Sequence, residues 1–341
     1  MPFKFASTLL GAFLCLLVSA CNEKKATPDW EQSTPQTTSS TSTPSLTKAS
    51  VPPAQQAARS STSQKKPKHQ EVRFLAYNLK NYLTMHRYIH GKASQRFKPD
   101  QEINALIRVI KSARPHVLGV CEIGNEADLK DLQKRLKAAG VDLPHTHRVQ
   151  GADRVRALAI LSRYPIINTA APQKIDYSLN GQPFQLSRGV LDTTIQLPQR
   201  RVRFLGVHLK SKRPSRGADQ ELMRRNESAL LRKHIDDILN TDPNTPILVY
   251  GDFNDTRQSK SIATVRGRTS SPKQMTPIEL TDSRGENWTH NWKREDIYSR
   301  FDYAMTNRTL TPAINQADSR IIDHQDWDLA SDHRALLILI K

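Results

Sequence analysis

Cysteine is nearly missing from this sequence: three occur in 341 residues, and Cys15 and Cys21 both fall in the first 21. Cys121 is left alone in the body of the chain, which excludes an intrachain disulfide there and any zinc cluster built on thiolates. It lies in an apolar run and is expected to pack as a small hydrophobe. No Gly-rich loop follows any predicted strand, so the phosphate cradles of the nucleotide-binding folds are absent too. No repeat of fixed period is found, which excludes a solenoid.

The N-terminal apolar run, Leu9 to Val18, is too short to span a bilayer comfortably. Behind Lys4 and ahead of Val18-Ser19-Ala20-Cys21 it reads instead as an export signal. Small residues before a Cys resemble the bacterial lipobox, in which the Cys is lipidated and becomes the new N-terminus. An ordinary cleaved signal with an incidental Cys is the alternative. Residues 1–21 are thus expected to be a lipoprotein signal peptide, with Cys21 the lipid anchor to the bacterial cell envelope. Residues 22–70 are rich in Ser, Thr, Pro and Gln, with almost no large apolar side chains. They cannot bury enough surface to fold and are expected to form a disordered tether. The folded part is then 71–341, near the upper size for a single core. Of the formal charge of +18, this part carries 43 Lys and Arg against 30 Asp and Glu. A basic surface favours polyanions, either nucleic acid or anionic lipid head groups, although a merely solvated surface has the same composition.

Val72 to Tyr77 reads as a strand with Asn78 at its end. After a polar, basic loop, Pro99 and Asp100 open a helix whose Ile103, Leu106, Ile107 and Ile110 share a face. Val117 to Cys121 forms a second strand that delivers Glu122, and a helix carrying Leu129, Leu132 and Leu136 stops at Gly140. Ala157 to Leu161, Gly189 to Ile195 and Val202 to Val207 read as strands, the last ending at His208. A helix over about Asp219 to Leu239 leads into Ile247-Leu248-Val249-Tyr250, an apolar run suited to a buried strand and broken by Gly251. Phe301 to Met305 and Ala335 to Ile340 are the last strands. Strands alternate with helices early and follow one another in the middle, so a mixed sheet system is expected rather than a doubly wound one.

Asp252 and Asn254 would project from one side of their strand end, since side chains repeat every second residue. The Asp can accept a proton from water and the Asn can donate to a phosphoryl oxygen. A polar turn closing a hairpin would carry the same letters. Polar residues also end the other strands: Asn78, Glu122, His208, and the clusters Arg300-Phe301-Asp302-Tyr303 and Ser331-Asp332-His333-Arg334. Such recurrence suggests one site along one edge of the sheets.

Seven motifs run in order: Tyr77-Asn78, Gly119-Val120-Cys121-Glu122, Leu161-Ser162-Arg163-Tyr164-Pro165, His208-Leu209-Lys210-Ser211, Gly251-Asp252-Phe253-Asn254, Phe301-Asp302-Tyr303 and Ser331-Asp332-His333. With them, residues 71–341 resemble the endonuclease/exonuclease/phosphatase superfamily of DNase I-like nucleases, abasic-site endonucleases, inositol polyphosphate phosphatases and neutral sphingomyelinases. The resemblance implies an α/β fold, a four-layer α/β sandwich of two packed mixed β-sheets flanked by helices. It also implies phosphoester hydrolysis by metal-activated in-line attack. Glu122 matches the family's metal-binding Glu, a hard oxygen ligand suited to Mg²⁺ or Mn²⁺, with Asn78 and Asp332 completing the metal and phosphate surroundings. Asp252 matches the residue that orients or deprotonates the attacking water, and Asn254 would hydrogen-bond the phosphoryl oxygens in the transition state. His333 matches the phosphate-contacting His, paired with Asp302, which would fix its tautomer and raise its pKa. His208 matches a second His, set on the scissile phosphate or the leaving oxygen. Arg188 and Lys210 are candidates for gripping substrate phosphates.

One position departs from the family's pattern. Lys80 stands where several members carry an acidic residue, and a cation there could grip a phosphate or pair with Glu122. Trp288-Thr289-His290-Asn291-Trp292 holds two indoles that could rest on the core or stack on a base. Nucleic acid is the leading substrate and partner, on the basic domain and His208. A phospholipid or sugar phosphate is the alternative, weakened by the lack of a long exposed apolar hairpin. A binding protein that has lost activity is a third reading.

Overall fold

A strand that is apolar on both faces can lie only between two packed layers, and this chain has several. In Val72–Tyr82 (β1), Val72, Phe74 and Ala76 join one hydrophobic layer while Leu75, Tyr77 and Leu79 join another. Leu336–Ile340 divides the same way, Leu336, Ile338 and Ile340 against Leu337 and Leu339. Ile247–Asp252 sends Leu248 and Tyr250 to the shared layer, and Ile247 and Val249 to a third. The computed structural model that shows this describes residues 71–341 apart from 90, 91 and 216. The expected signal peptide, the tether and Cys21 lie outside the described residues.

Twelve strands build two sheets: β1, β2 (Val117–Ile123), β3 (His145–Gln150), β4 (Ala157–Ser162), β5 (Ile166–Ala170), β6 (Val190–Gln196), β7 (Arg201–His208), β8 (Ile247–Asp252), β9 (Met275–Pro277), β10 (Asp302–Asn307), β11 (Arg320–Ile321) and β12 (Leu336–Ile340). The first sheet is ordered β11-β12-β1-β2-β4-β3 and the second β9-β10-β8-β7-β6-β5. Neighbours are antiparallel except β1 with β2 and β7 with β8. Helices α1 (Asp100–Ala113) and α2 (Glu126–Ala138) cover the first sheet; α3 (Gln220–Thr241) and α4 (Lys260–Arg266) cover the second. Helix, sheet, sheet, helix is the expected four-layer α/β sandwich.

The two parallel pairs are what set up the site. Their register places Asn78 beside Cys121, next to Glu122, and His208 beside Asp252. Two glycines allow close approach. A Cβ on Gly119 would lie 2.2 Å from the Tyr250 ring, which fills the space between the sheets. Gly251 has φ +133°, and a Cβ there would meet the Val207 carbonyl oxygen at 2.0 Å. The strand therefore continues through Gly251 to Asp252 instead of breaking at it; only glycine lets β8 pass β7 so closely.

The helix ends follow their sequence signals. Asn125 caps α2 in a reciprocal box with Asp128. Past its other end, Gly140 N–H donates to Lys137 and Val141 N–H to Leu136, closing a Schellman motif. The segment expected as a loop after Asn78 differs: β1 runs on to Tyr82, and a hairpin pairs Met85–Ile89 with Lys92–Arg96. Two further hairpins, Asp176–Leu179 with Gln182–Gln185 and His290–Trp292 with Ile297–Ser299, had too little alternation to be read from sequence. No helix among the described residues is long and apolar enough to cross a membrane.

Candidate active site

Asp252 is the hub, 2 % exposed at the end of β8. Its Oδ2 accepts from the Asn78 amide at 3.1 Å, and its Oδ1 from the Asn254 backbone N–H at 2.8 Å. His208 Nε2 lies 3.5 Å from the same carboxylate and His333 Nε2 3.7 Å. His333 Nδ1 is 2.7 Å from Asp302 Oδ2. Six predicted residues thus meet in one connected set. Ser331 draws in the last loop: its hydroxyl donates to the Asn78 carbonyl at 2.8 Å and accepts from His333 N–H at 3.1 Å. Thr289 Oγ1 accepts from Phe301 and Asp302 N–H, both at 3.0 Å, which fixes the start of β10.

Asn254 is oriented by a different cause from the one expected. β8 ends at Asp252, so strand alternation does not reach position 254. Asn254 instead takes a left-handed backbone, φ 51°, and its amide donates to the Leu209 carbonyl at 3.0 Å. The second N–H of that amide remains available to an oxyanion. Glu122 also has positive φ, 63°; its Oε2 accepts from Asn81 N–H at 2.9 Å, and its Oε1 is 3.9 Å from His208 Nε2.

The two imidazoles are driven apart. Burial, reinforced by the charges of Arg188, His333 and Arg156, pushes His208 well below its ordinary range, so it is neutral near pH 7. Its Nδ1 is buried without a hydrogen-bond partner. Burial alone would lower His333 as well, but the Asp302 and Asp252 carboxylates carry it well above its ordinary range, so it is an imidazolium. Burial raises Asp252, and the carboxylates of Asp302 and Glu122 add to that; His333 and the Asn254 N–H pull the other way without cancelling it. Burial likewise pushes Asp332 up, yet the charges of His333 and Lys80 outweigh it and leave Asp332 below the usual carboxylate range.

A divalent cation fits this surplus of carboxylates. Asp252, Asp302 and His333 offer donor atoms within 4.8 Å of one another. Both nitrogens of His333 already face carboxylates there, Nδ1 hydrogen-bonded to Asp302 and Nε2 ion-paired with Asp252, so that trio reads as a relay rather than a cage. Glu122, whose Oε1 carries no hydrogen bond, could anchor a cation instead; Asn78 lies on the neighbouring strand, and Ser331, next to Asp332, bonds the Asn78 carbonyl. Oxygen donors without thiolate suit Mg²⁺ or Mn²⁺; Cys121 is buried and donates to the Val207 carbonyl.

Several participants carried no local signal. Arg156 bonds the Asn81 side chain at 2.8 Å and lies 3.9 Å from Glu122. It sits one residue before β4, whose Ala157 pairs with Ile123, so the β2–β4 register would have found it. Lys80 does not pair with Glu122 among the described ion pairs; its charge acts on Asp332. Trp288 packs edge-on against Tyr298 and Trp327 with Arg334 over its ring, whereas Trp292 is 51 % exposed. Ile297 and Tyr298 on the same hairpin are exposed too, so an apolar hairpin is present, though short.

The chain belongs to the endonuclease/exonuclease/phosphatase family, whose model matches residues 67–289. Family members are phosphoester and phosphodiester hydrolases that generally use a divalent metal. No curated protein matches the sequence. Among solved structures, the human nocturnin catalytic domain with bound sulfate aligns with TM-score 0.56 at 16 % identity, covering 80 % of this chain and 94 % of that one. An endonuclease/exonuclease/phosphatase protein from Bacteroides vulgatus gives 0.53 at 15 %, covering 80 % and 99 %. Sphingomyelinase C from Streptomyces griseocarneus gives 0.50 at 15 %, covering 80 % and 100 %. At these identities the likeness is one of fold.

Proposed function

We propose that the protein is a divalent-metal-dependent phosphodiester hydrolase acting on nucleic acid, anchored to the bacterial envelope through lipidated Cys21. The observation that carries this reading is the connected set Asn78–Asp252–His208–His333–Asp302, buried at one edge where both sheets end. Asp252 orients the attacking water and accepts its proton; a carboxylate with a raised pKa is the stronger base when ionised. The free Asn254 N–H donates to a phosphoryl oxygen, and the His333 imidazolium, held by Asp302, meets the charge that builds there. Neutral His208 stands beside the scissile phosphate or leaving oxygen. Glu122, Asn78 and Asp332 would hold Mg²⁺ or Mn²⁺, which supplies charge neutralisation at the phosphoryl oxygens.

The net basic charge of the folded part supports a polyanionic substrate. A phospholipid is the second reading, favoured by exposed Trp292, Ile297 and Tyr298 on a hairpin whose His290 bridges to His333. Nicking of supercoiled plasmid by the full chain with Mg²⁺, repeated with chelator, tests the first reading. Nicking that ignores chelator overturns the metal assignment. Phosphate or choline release from vesicles with no nicking would transfer the case to the second reading.

A further inference from the structure

A cleft of about 880 Å³ opens beside the catalytic edge, with Asp153, Phe184, Ser187, Arg188, Lys210 and Met223 in its walls. The Arg188 side chain is 11 % exposed, and its Nε and Nη1 are buried without a hydrogen-bond partner, although Asp153 lies 3.3 Å away. Among the described residues the one hydrogen bond of Lys210 Nζ is to the Arg213 carbonyl, at 3.4 Å. The loops bearing these cations are fixed by one buried carboxylate of α3. Glu227 accepts from Ser187 N–H at 3.0 Å, from the Ser187 hydroxyl at 2.6 Å, and from Lys210 N–H at 2.6 Å. Buried Arg224, one turn earlier, donates to the Lys210 carbonyl at 3.1 Å and pairs with Asp255 at 3.0 Å. A buried carboxylate and a buried guanidinium spent on two loops imply that the position of those loops matters.

The cleft wall reaches toward the site through Lys210, two residues past His208. Val190 pairs with Val207, so Arg188 lies opposite the residues that follow His208. The other wall is aromatic: Phe184 stacks on Tyr177 at 5.7 Å and 21°. Asp153, the acidic member of the polar wall, is shared between Arg188 and Arg156, the latter at 3.7 Å. Asp176 is exposed at the rim.

We propose that this cleft holds the nucleotide next to the scissile one, with Arg188 and Lys210 on its phosphate and Phe184 against its base. The assignment rests on the phosphodiesterase reading above and names the substrate unit that site would take. It is tested by kcat/KM of the full chain with Mg²⁺ on the dinucleotide TpT, on TpT carrying one more phosphate at either end, and on abasic counterparts. One added phosphate should raise kcat/KM roughly tenfold or more, the scale of a charge-assisted hydrogen bond. In Arg188→Gln or Lys210→Gln that ratio should fall toward one. Phe184→Leu should erase the preference for a base over an abasic unit, expected at roughly fivefold or more. Each ratio is internal to one protein preparation, so partial unfolding of a variant does not obscure it. A phosphate ratio untouched by Arg188→Gln and Lys210→Gln overturns the subsite. A phosphate ratio that falls without any base preference in the wild type overturns the nucleotide in favour of another polyphosphate. Failure to cleave any diester removes the function beneath the proposal and the proposal with it.

Discussion

Asp282→Asn should be among the most damaging single-atom-scale changes outside the site. The Asp282 and Arg334 side chains are both fully covered, and Arg334 Nη1 donates to Asp282 Oδ2 at 2.7 Å. Arg334 also donates to the Trp288 carbonyl at 3.1 and 2.5 Å and lies 3.4 Å over the Trp288 ring. The second Asp282 oxygen accepts from the N–H groups of Arg284 and Glu286, both at 2.9 Å. An amide can keep those two bonds but must turn its NH₂ toward the guanidinium, leaving the buried cation only the half-exposed Glu286 carboxylate, 3.9 Å away, as counter-charge. Removing one partner of a buried pair costs about 3–5 kcal/mol. At about 2–4 °C per kcal/mol for a chain of this size, calorimetry should show Tm lower by roughly 6–20 °C. Asp282→Asn/Arg334→Met should recover part of the loss, because the stranded charge is gone. The pH dependence has a fixed sign. Burial would raise the Asp282 carboxyl, but the Arg334 hydrogen bond and the two N–H groups hold it down to about 2. The folded value lies below the unfolded one of about 3.9, so the contribution is complete above about pH 4 and is lost as pH falls toward 2. The variant should therefore show a flatter acid limb of Tm against pH. A Tm drop below about 2 °C, less than 1 kcal/mol on that scale, would refute the reasoning.

Four other outcomes are expected. Asp252→Asn should cut turnover by roughly a hundredfold or more while leaving Tm equal or higher, since it relieves a surplus of buried carboxylates; near-normal rates would remove Asp252 from the mechanism. Chelation should abolish hydrolysis and lower Tm, with Mg²⁺ restoring both; Glu122→Gln should weaken that Mg²⁺-dependent rise in Tm, and an unchanged rise would move the metal elsewhere. Gly251→Ala should cost about 3 kcal/mol or more by denaturant titration, because both its φ and the Val207 carbonyl oppose a Cβ. Cys21→Ser should release the protein from membrane fractions, and unchanged fractionation would count against the lipid anchor.

What could be read from the sequence was whatever local periodicity or a strand-end motif records. The apolar runs gave β1, β2, β7, β8 and β12 as strands, and the polar residues at strand ends gave Asn78, Glu122, His208 and Asp252; the four layers came from the family resemblance. The side chains that hold those residues in place were not legible. Glu227, Arg224 and Asp282 sit in ordinary polar contexts, and each works through partners 17 to 52 positions away. Gly251 was read as a breaker because its close approach to Val207 exists only once β7 and β8 pair. Asn254 was given the right neighbourhood for the wrong reason, since its left-handed backbone is invisible to an alternation argument. The exposed Trp292 and the packed Trp288 are identical letters, told apart by Tyr298, Trp327 and Arg334, the last arriving 46 residues after Trp288.

The place of β12 inside the first sheet, flanked by β11 and β1, has a consequence for biosynthesis. Leu336–Ile340 must thread alongside the earliest strand before Ser331 can latch onto Asn78 and bring His333 to Asp252. A chain lacking 336–340 should keep every other group yet lose the pairing that brings Ser331 and His333 to the site, so it is expected to hydrolyse nothing until that segment docks.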